Sequence, residues 1–407
     1  MSKPVIVFVG AVYPGQFGAL CDHLRRTGQA EAYFLTTPGH RQKHADRGPH
    51  ILAFQPDGPI VGDPNYYYTA KLERSARIGR GVLLALREFQ KTKPIDVVVA
   101  HSLWGAPHFL YDEIDAAIVS YVEFPSYRAH GWDPSYPPDL AQRMSDKNIE
   151  MLHFHQALRS DLVICPSHHA KRMFPPALQG NIEVQLEGLE IEEAAPETAS
   201  DHRFTIGFSA RDLSSSKGFD TYMRLVDRLA REGMDADFVA LGGSDGSTYG
   251  YEQQWVQRKY GGEVADFRGH LMREYPEAAK VIDCPGKLPY AEFARRLRGI
   301  DLFLYPLRYG VANWGLMEIL MRGGCVVAPD RGYPAELIQN EVNGVLLPDD
   351  DEAWLSAIRA LKDDPDRRAR LSRSARILGQ QFSLSSVAPR YMQLFRQAVE
   401  NRARRSS

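Results

Sequence analysis

Short β-branched runs alternate along the chain with longer segments whose apolar residues recur every three or four positions. Runs of the first kind predict strands and segments of the second kind predict amphipathic helices, so their alternation describes βα units around parallel sheets. In the first half the pattern predicts strands at Val5–Val9, Ala32–Leu35, Ile51–Phe54, Asp96–Ala100, Ala117–Val122, Leu162–Cys165 and Ile182–Gln185. Helices are predicted at Gln16–Thr27, Thr69–Lys91, Ala141–Arg159 and His168–Phe174. Several strands are near-continuous apolar runs, as expected where helices cover both faces of a sheet. The polar, proline-containing stretch Glu190–His202 breaks the rhythm and reads as a linker. Beyond it the pattern restarts, with strands at Phe204–Ser209, Asp237–Leu241, Val281–Cys284, Leu302–Tyr305, Cys325–Ala328 and Val345–Leu347. Helices at Phe219–Arg231, Tyr290–Arg298, Leu316–Arg322, Pro334–Ile338, Glu352–Leu361 and Pro365–Gln380 intervene, and Ser385–Arg402 closes the chain. Pro389 is placed near the first turn of that last helix, where its missing N–H is tolerated. Two doubly wound α/β domains follow, residues 1–198 and 199–384. Ligands of open α/β sheets bind outside the carboxyl ends of the strands, so chemistry is expected in an interdomain cleft between two such edges.

Composition narrows the function. The 407 residues are 44% hydrophobic and 25% charged, enough apolar material for two cores and too much for a disordered chain. Forty-nine Lys and Arg stand against 51 Asp and Glu, a balance that argues against a nucleic-acid binder. No apolar run approaches the ~18 residues that span a bilayer. The first apolar run is too short for a signal sequence, so a cytoplasmic protein is expected. Four cysteines (Cys21, Cys165, Cys284, Cys325) show no CxxC spacing, and the thirteen histidines include no HExxH or comparable ligand spacing, so no metal is expected.

Three loops carry candidate chemistry. Gly10–Gly18 follows the first strand; Gly15 and Gly18 let backbone approach a ligand at a helix N-terminus, though a tight βα turn explains them equally well. It is not the dinucleotide GxGxxG. In the second half, Arg211 and Lys217 flank Ser214–Ser216 ahead of a helix. A planar fork and a point charge suit a diphosphate, and that reading is put ahead of an ordinary serine N-cap cluster. The third loop runs from Tyr305 into a helix carrying Glu318 among Leu316, Met317, Ile319 and Leu320. A carboxylate there needs partners. Ligand hydroxyls would serve, and so would Arg322 one turn later, weighed lower. At first-domain strand ends, His101 is as readily a capped structural histidine as a ligand contact. Glu123 is favoured slightly, because Tyr127, Arg128 and Trp132 give it a sugar-like mixture of aromatic and polar neighbours.

In this order the elements resemble glycosyltransferase family 4, retaining enzymes of the GT-B fold. The resemblance rests on Tyr13-Pro-Gly-Gln-Phe17, Arg211…Lys217-Gly218, Cys284-Pro-Gly-Lys-Leu-Pro-Tyr290 and Gly315-Leu-Met-Glu318…Gly323-Gly-Cys-Val-Val-Ala328. A subgroup is similar at Val99-Ala-His-Ser-Leu-Trp-Gly105 and Glu123–Pro134. One departure stands out: where the family often has Glu-x7-Glu, the second Glu corresponds to Glu318 and the first to Gly310.

The resemblance implies a nucleotide-diphosphate sugar as donor, UDP- or GDP-linked, and a glycan, glycolipid or polysaccharide precursor as acceptor, with no separate cofactor. It implies that Arg211 and Lys217 hold the diphosphate and that Glu318 takes ribose hydroxyls. The wider donor-binding set is Gly15, Ser209, Gly286, Lys287, Leu288, Asn313, Trp314, Gly315 and Leu316. His101, Glu123, Tyr127 and Arg128 are the acceptor- or sugar-side candidates. The final helix is expected to pack back onto the first domain. Front-face substitution with retention is the expected mechanism. A nucleotide-sugar 2-epimerase shares the architecture, and a nucleotide- or glycan-binding relative without turnover is kept open by Gly310. A lipid-linked acceptor would require peripheral docking at the inner face of the membrane. Arg25, Arg26, Arg41, Lys43, His44 and Arg47 give the first domain a local basic tilt, slightly better explained as a solvated surface.

Overall fold

A computed structural model describes residues 3–60, 66–126, 133–191, 202–243 and 251–406. The chain divides into two units: Met1–Tyr127, Asp139–Glu190 and Phe382–Ser407 form one, and Arg128–Pro138 with Ile191–Gln381 form the other.

In the first unit, β1 (Val5–Val9), β2 (Glu31–Thr36), β3 (Ile51–Ala53), β4 (Val97–His101), β5 (Ala117–Tyr121), β6 (Leu162–Cys165) and β7 (Ile182–Val184) make one parallel sheet. Its order is β3-β2-β1-β4-β5-β6-β7. Helices α1 (Gly18–Arg26), α2 (Pro38–Lys43), α3 (Ala70–Gln90), α4 (Leu140–Arg159) and α5 (His168–Met173) belong to it. Every residue of β1, β4, β5 and β6 is buried, which is why these strands read as near-continuous apolar runs.

The second unit carries β8 (Thr205–Asp212), β9 (Asp237–Gly243), β10 (Ile282–Gly286), β11 (Leu302–Leu304), β12 (Val326–Pro329) and β13 (Val345–Leu347), parallel and ordered β10-β9-β8-β11-β12-β13. Around them lie α6 (Phe219–Arg231), α7 (Glu252–Tyr260), α8 (Phe267–Glu274), α9 (Pro276–Val281), α10 (Tyr290–Arg298), α11 (Trp314–Arg322), α12 (Pro334–Leu337), α13 (Asp351–Asp363) and α14 (Pro365–Gly379).

The last helix, α15 (Leu384–Ser406), returns to the first unit. Its Tyr391, Leu394 and Phe395 are buried with Phe8, Phe17 and Tyr121, and the ring of Phe395 meets Phe8 edge-on at 6.0 Å. Pro389 falls in the second turn of this helix rather than the first, and the helix continues through it.

Strand and helix positions follow the apolar pattern closely, with three differences. Helices α7, α8 and α9 occupy a stretch in which no helix is predicted. Only Glu252 and Val256 of α7 are buried, so its outer positions are polar and its apolar stripe is too thin to read. The short α2 has no buried residue and offers no stripe at all. Strand β8 runs three residues past its predicted end, through a register shift between Ser209 and Asp212, which carries Arg211 into the strand.

Both sheets reverse winding direction once, between β1 and β4 in the first and between β8 and β11 in the second. In open α/β sheets ligands bind outside the carboxyl ends of the strands at such a point. Gly15 and His101 lie at the first pair, and Ser209, Arg211 and Lys217 lie at the second, whereas Gly286, Lys287 and Leu288 lie at the end of the edge strand β10.

Candidate functional site

At the second unit's switch point the loop after β8 and the loop after β11 are fastened together by backbone. The N–H groups of Arg308 and Tyr309 both donate to the carbonyl of Ser216, at 3.2 and 3.0 Å. Gly218, at φ +81°, lies so close to the Pro306 carbonyl that a Cβ would stand 1.9 Å from its oxygen. Only glycine permits that approach. Lys217 therefore sits between two pinned residues. The serines are not an N-cap cluster: Gly218 caps α6 without a side chain, while Ser214 and Ser216 share a 3.0 Å hydroxyl contact and Ser215 donates to buried Glu252 at 3.0 Å. Burial pushes the Glu252 carboxyl above its usual range. On the strand beside them, Arg211 is exposed and its Nε donates to Asp212 at 3.2 Å.

Helix α11 begins beside Ser209 of β8. Asn313 caps it, its Oδ1 accepting the Gly315 N–H at 2.8 Å, and the Ser209 carbonyl oxygen lies 3.8 Å from the position a Gly315 Cβ would take. The Gly315 N–H at this helix N-terminus is thus already engaged. Trp314 is exposed and Leu316 is fully buried, a core residue of this helix rather than a surface one.

One turn further on, Glu318 forms the pair that the i, i+4 spacing allows. Arg322 donates to its Oε1 through Nε at 3.0 Å and Nη2 at 2.7 Å, and the Tyr290 hydroxyl donates to the same oxygen at 3.0 Å. Burial and the adjacent carboxylate raise the Tyr290 hydroxyl above its usual range, so it stays a donor. Tyr290 opens α10 just after Gly286, Lys287 and Leu288. Lys287 is exposed, Leu288 is half-buried, and Gly286 at φ +78° has nothing within 4 Å of where a Cβ would point.

In the first unit the loop after β1 holds Gly15 at φ +48°, following a cis Tyr13–Pro14 peptide. Tyr13 donates to Asp22 at 2.7 Å, and His50 Nε2 lies 2.9 Å from the other oxygen of Asp22. Cys21, Asp22 and His50 bring ligand-type atoms within 4.8 Å of one another. Burial drives the Cys21 thiol far above its usual range, and Asp22 is engaged on both oxygens.

At the end of β4, His101 is buried, and its Nδ1 accepts the N–H groups of Leu103 and Trp104 at 3.3 and 3.4 Å. That leaves the ring proton on Nε2, which points to Glu123 Oε2 at 3.5 Å. Gln16 Nε2, from the loop after β1, reaches the same Glu123 oxygen at 3.1 Å. His101 is therefore both the strand-end cap of the plainer reading and a partner of Glu123. Tyr127 and Arg128, with Trp132, lie outside the described residues. Gln16, Tyr290 and Arg308 were not singled out from the sequence.

Two doubly wound sheets, each with polar side chains gathered at its switch point, define a two-domain α/β protein of the Rossmann-like type. Residues 28–194 match the family model of the glycosyl transferase family 4 group, and residues 190–377 match that of glycosyl transferases group 1. With the fold, these matches make the chain a glycosyltransferase of GT-B architecture. No curated protein matches its sequence. Among solved structures, sucrose-phosphate synthase from Thermosynechococcus elongatus is similar at TM-score 0.73 and 16% identity, over 97% of this chain and 99% of that one. Anabaena HepE in complex with UDP is similar at TM-score 0.61 and 16% identity over 97% and 99%. A putative UDP-N-acetylglucosamine 2-epimerase from Listeria monocytogenes reaches 0.59 at 14% identity over 98% and 97%. Among the described residues no helix is long and apolar enough to cross a membrane.

Proposed function

We propose that the protein is a retaining, metal-independent glycosyltransferase that moves a sugar from a UDP- or GDP-linked donor to a glycan, glycolipid or polysaccharide-precursor acceptor. The observation that carries this reading is the pinning of Lys217 between Ser216 and Gly218, directly against the loop that leads into α11. A backbone fixed on both sides of a lysine limits how far its cation must reorganise as charge develops on the leaving diphosphate, and preorganisation of that kind is a large catalytic effect. In this reading Arg211 adds a second, more mobile cation, and Glu318 accepts ribose hydroxyls. Bond cleavage at the anomeric carbon passes through an oxocarbenium-like state, and the departing phosphate oxygen takes the acceptor proton on the same face. Glu123, oriented by His101 and Gln16, faces the acceptor or the sugar.

The working environment we propose is the cytoplasm, with peripheral contact at the inner membrane face when the acceptor is lipid-linked. Arg41, Lys43 and Arg47 lie exposed on α2 and the turn after it and supply the cations for that contact. Purified protein that ignores anionic vesicles at low salt would remove the membrane contact and leave the transferase reading intact.

The test is thermal unfolding with UDP, GDP, dTDP, ADP and their common sugar conjugates. A ligand at 100 times its dissociation constant stabilises the folded state by about 2.7 kcal/mol. For domains of this size that raises the midpoint by several degrees. Product analysis with the winning conjugate then separates transfer from 2-epimerisation, which interconverts sugars without lasting release of nucleotide. Binding without either reaction would mark a relative that has lost turnover, and no shift from any nucleotide would overturn the reading.

A further inference from the structure

Behind the pinned loops lies a buried charge cluster that the chemistry above does not use. The Arg308 guanidinium donates through Nη1 to Asp133 Oδ2 at 2.7 Å and through Nη2 to Asp220 Oδ2. Asp220 lies in the first turn of α6, and its Oδ2 also accepts from the Tyr136 hydroxyl at 3.4 Å. Asp133 and Asp220 are both more than nine-tenths buried. Burial works against the Arg308 charge, but Asp220 and Asp133 outweigh it and hold the guanidinium above its usual range.

We infer that Arg308 is a positioning residue for the donor diphosphate: it locks the loop after β11 onto the start of α6 and thereby sets the backbone on either side of Lys217. The inference rests on the donor reading above. Three links define the lock. The Arg308 and Tyr309 N–H groups hold the Ser216 carbonyl, Gly218 seats on Pro306, and the Arg308 side chain ties to the helix that Lys217 precedes. Apolar residues of similar volume commonly match or exceed such a buried cluster in stability, so stability alone does not explain three charged groups here. A planar fork does supply direction, fixing two carboxylates on two chain segments in one plane. Lysine, a point charge, reaches one of them well and the other poorly.

The experiment compares Arg308→Met, Arg308→Lys and the charge-neutral triple variant Arg308→Met/Asp220→Asn/Asp133→Asn with the wild type. Titration calorimetry with UDP and with GDP gives affinity, and amide hydrogen exchange over residues 213–218 and 305–313 gives loop order. The triple variant is expected to melt near the wild-type temperature, to bind the nucleotide at least tenfold more weakly, and to exchange the Arg308 and Tyr309 amides at least tenfold faster. Arg308→Lys should recover part of the affinity. A triple variant with wild-type melting, affinity and exchange would overturn the inference. A wild type that binds neither nucleotide would instead bring down the donor reading, and the exchange data alone would then decide whether Arg308 fixes the loop.

Discussion

Arg322 reaches Glu318 with both Nε, at 3.0 Å, and Nη2, at 2.7 Å, and both bonds end on the same oxygen, Oε1. The hydroxyl of Tyr290 ends there too, at 3.0 Å, so among the described residues every donor to this carboxylate converges on one atom. A carboxylate anchored by one oxygen keeps its orientation while the other oxygen stays available to a ligand hydroxyl. Glu318→Gln is therefore expected to weaken nucleoside diphosphate binding by about 10- to 100-fold, since hydrogen bonds to a charged group contribute about 1.5–3 kcal/mol. Tyr290→Phe removes one of three anchors and should cost only severalfold. Equal, undiminished affinity in both variants, read by calorimetry, would mean that Glu318 serves only to hold Arg322.

Lys217→Ala should leave melting close to wild type, because its neighbours Ser216 and Gly218 are held by backbone contacts to Arg308, Tyr309 and Pro306. Release of nucleoside diphosphate from the donor should fall at least 100-fold, the scale seen when one preorganised stabilising group is removed. Arg211→Ala, on an exposed side chain, should cost less. The reverse ranking would place the leaving-group charge on Arg211.

Elements marked by a local apolar run or stripe were legible in the sequence: β6, β13, α6 and α10 lie where the apolar pattern put them. What escaped was chemistry that acts at a distance. Glu318 and Arg322 are one turn apart, so their pairing could be weighed from spacing alone. Tyr290 joins them from 28 positions away, and Arg308 meets Asp133 across 175. No periodicity encodes such meetings, because they depend on which loops share a switch point. The bond from Ser215 to Glu252 was not legible for a different reason, since Glu252 sits on a helix too polar to be read as one.

By the resemblance drawn from the sequence, Gly310 takes the place of the first carboxylate of a Glu-x7-Glu motif, and its backbone lies at φ +153°, a conformation L side chains rarely adopt. The nearest Leu307 carbons would be 3.5 Å from a Cβ there, so space is not the obstacle. Restoring the acid by Gly310→Glu is thus expected to destabilise the protein by about 1–3 kcal/mol through backbone strain, without raising turnover. Gly310→Ala should show the same loss, since the strain comes with any Cβ. A Glu variant that melts like wild type and works faster would show that the loop readily adopts the other geometry.

His153 makes stability depend on pH in a definite direction. It lies buried in α4, and burial lowers its pKa from 6.5 to about 3. The unfolded chain then binds a proton that the folded chain refuses between those two values. With the folded pKa below the unfolded one, the contribution to stability is complete above about pH 6.5 and is lost progressively as pH falls toward 3. The slope is about 1.4 kcal/mol per pH unit for one proton. His153→Leu removes the titrating group, so its urea midpoint should fall less steeply than that of the wild type between pH 6.5 and 4. Carboxylates elsewhere titrate in both proteins and cancel in the difference. Two parallel curves would show that His153 takes up its proton in the folded state as readily as in the unfolded one, and that α4 accommodates the charge.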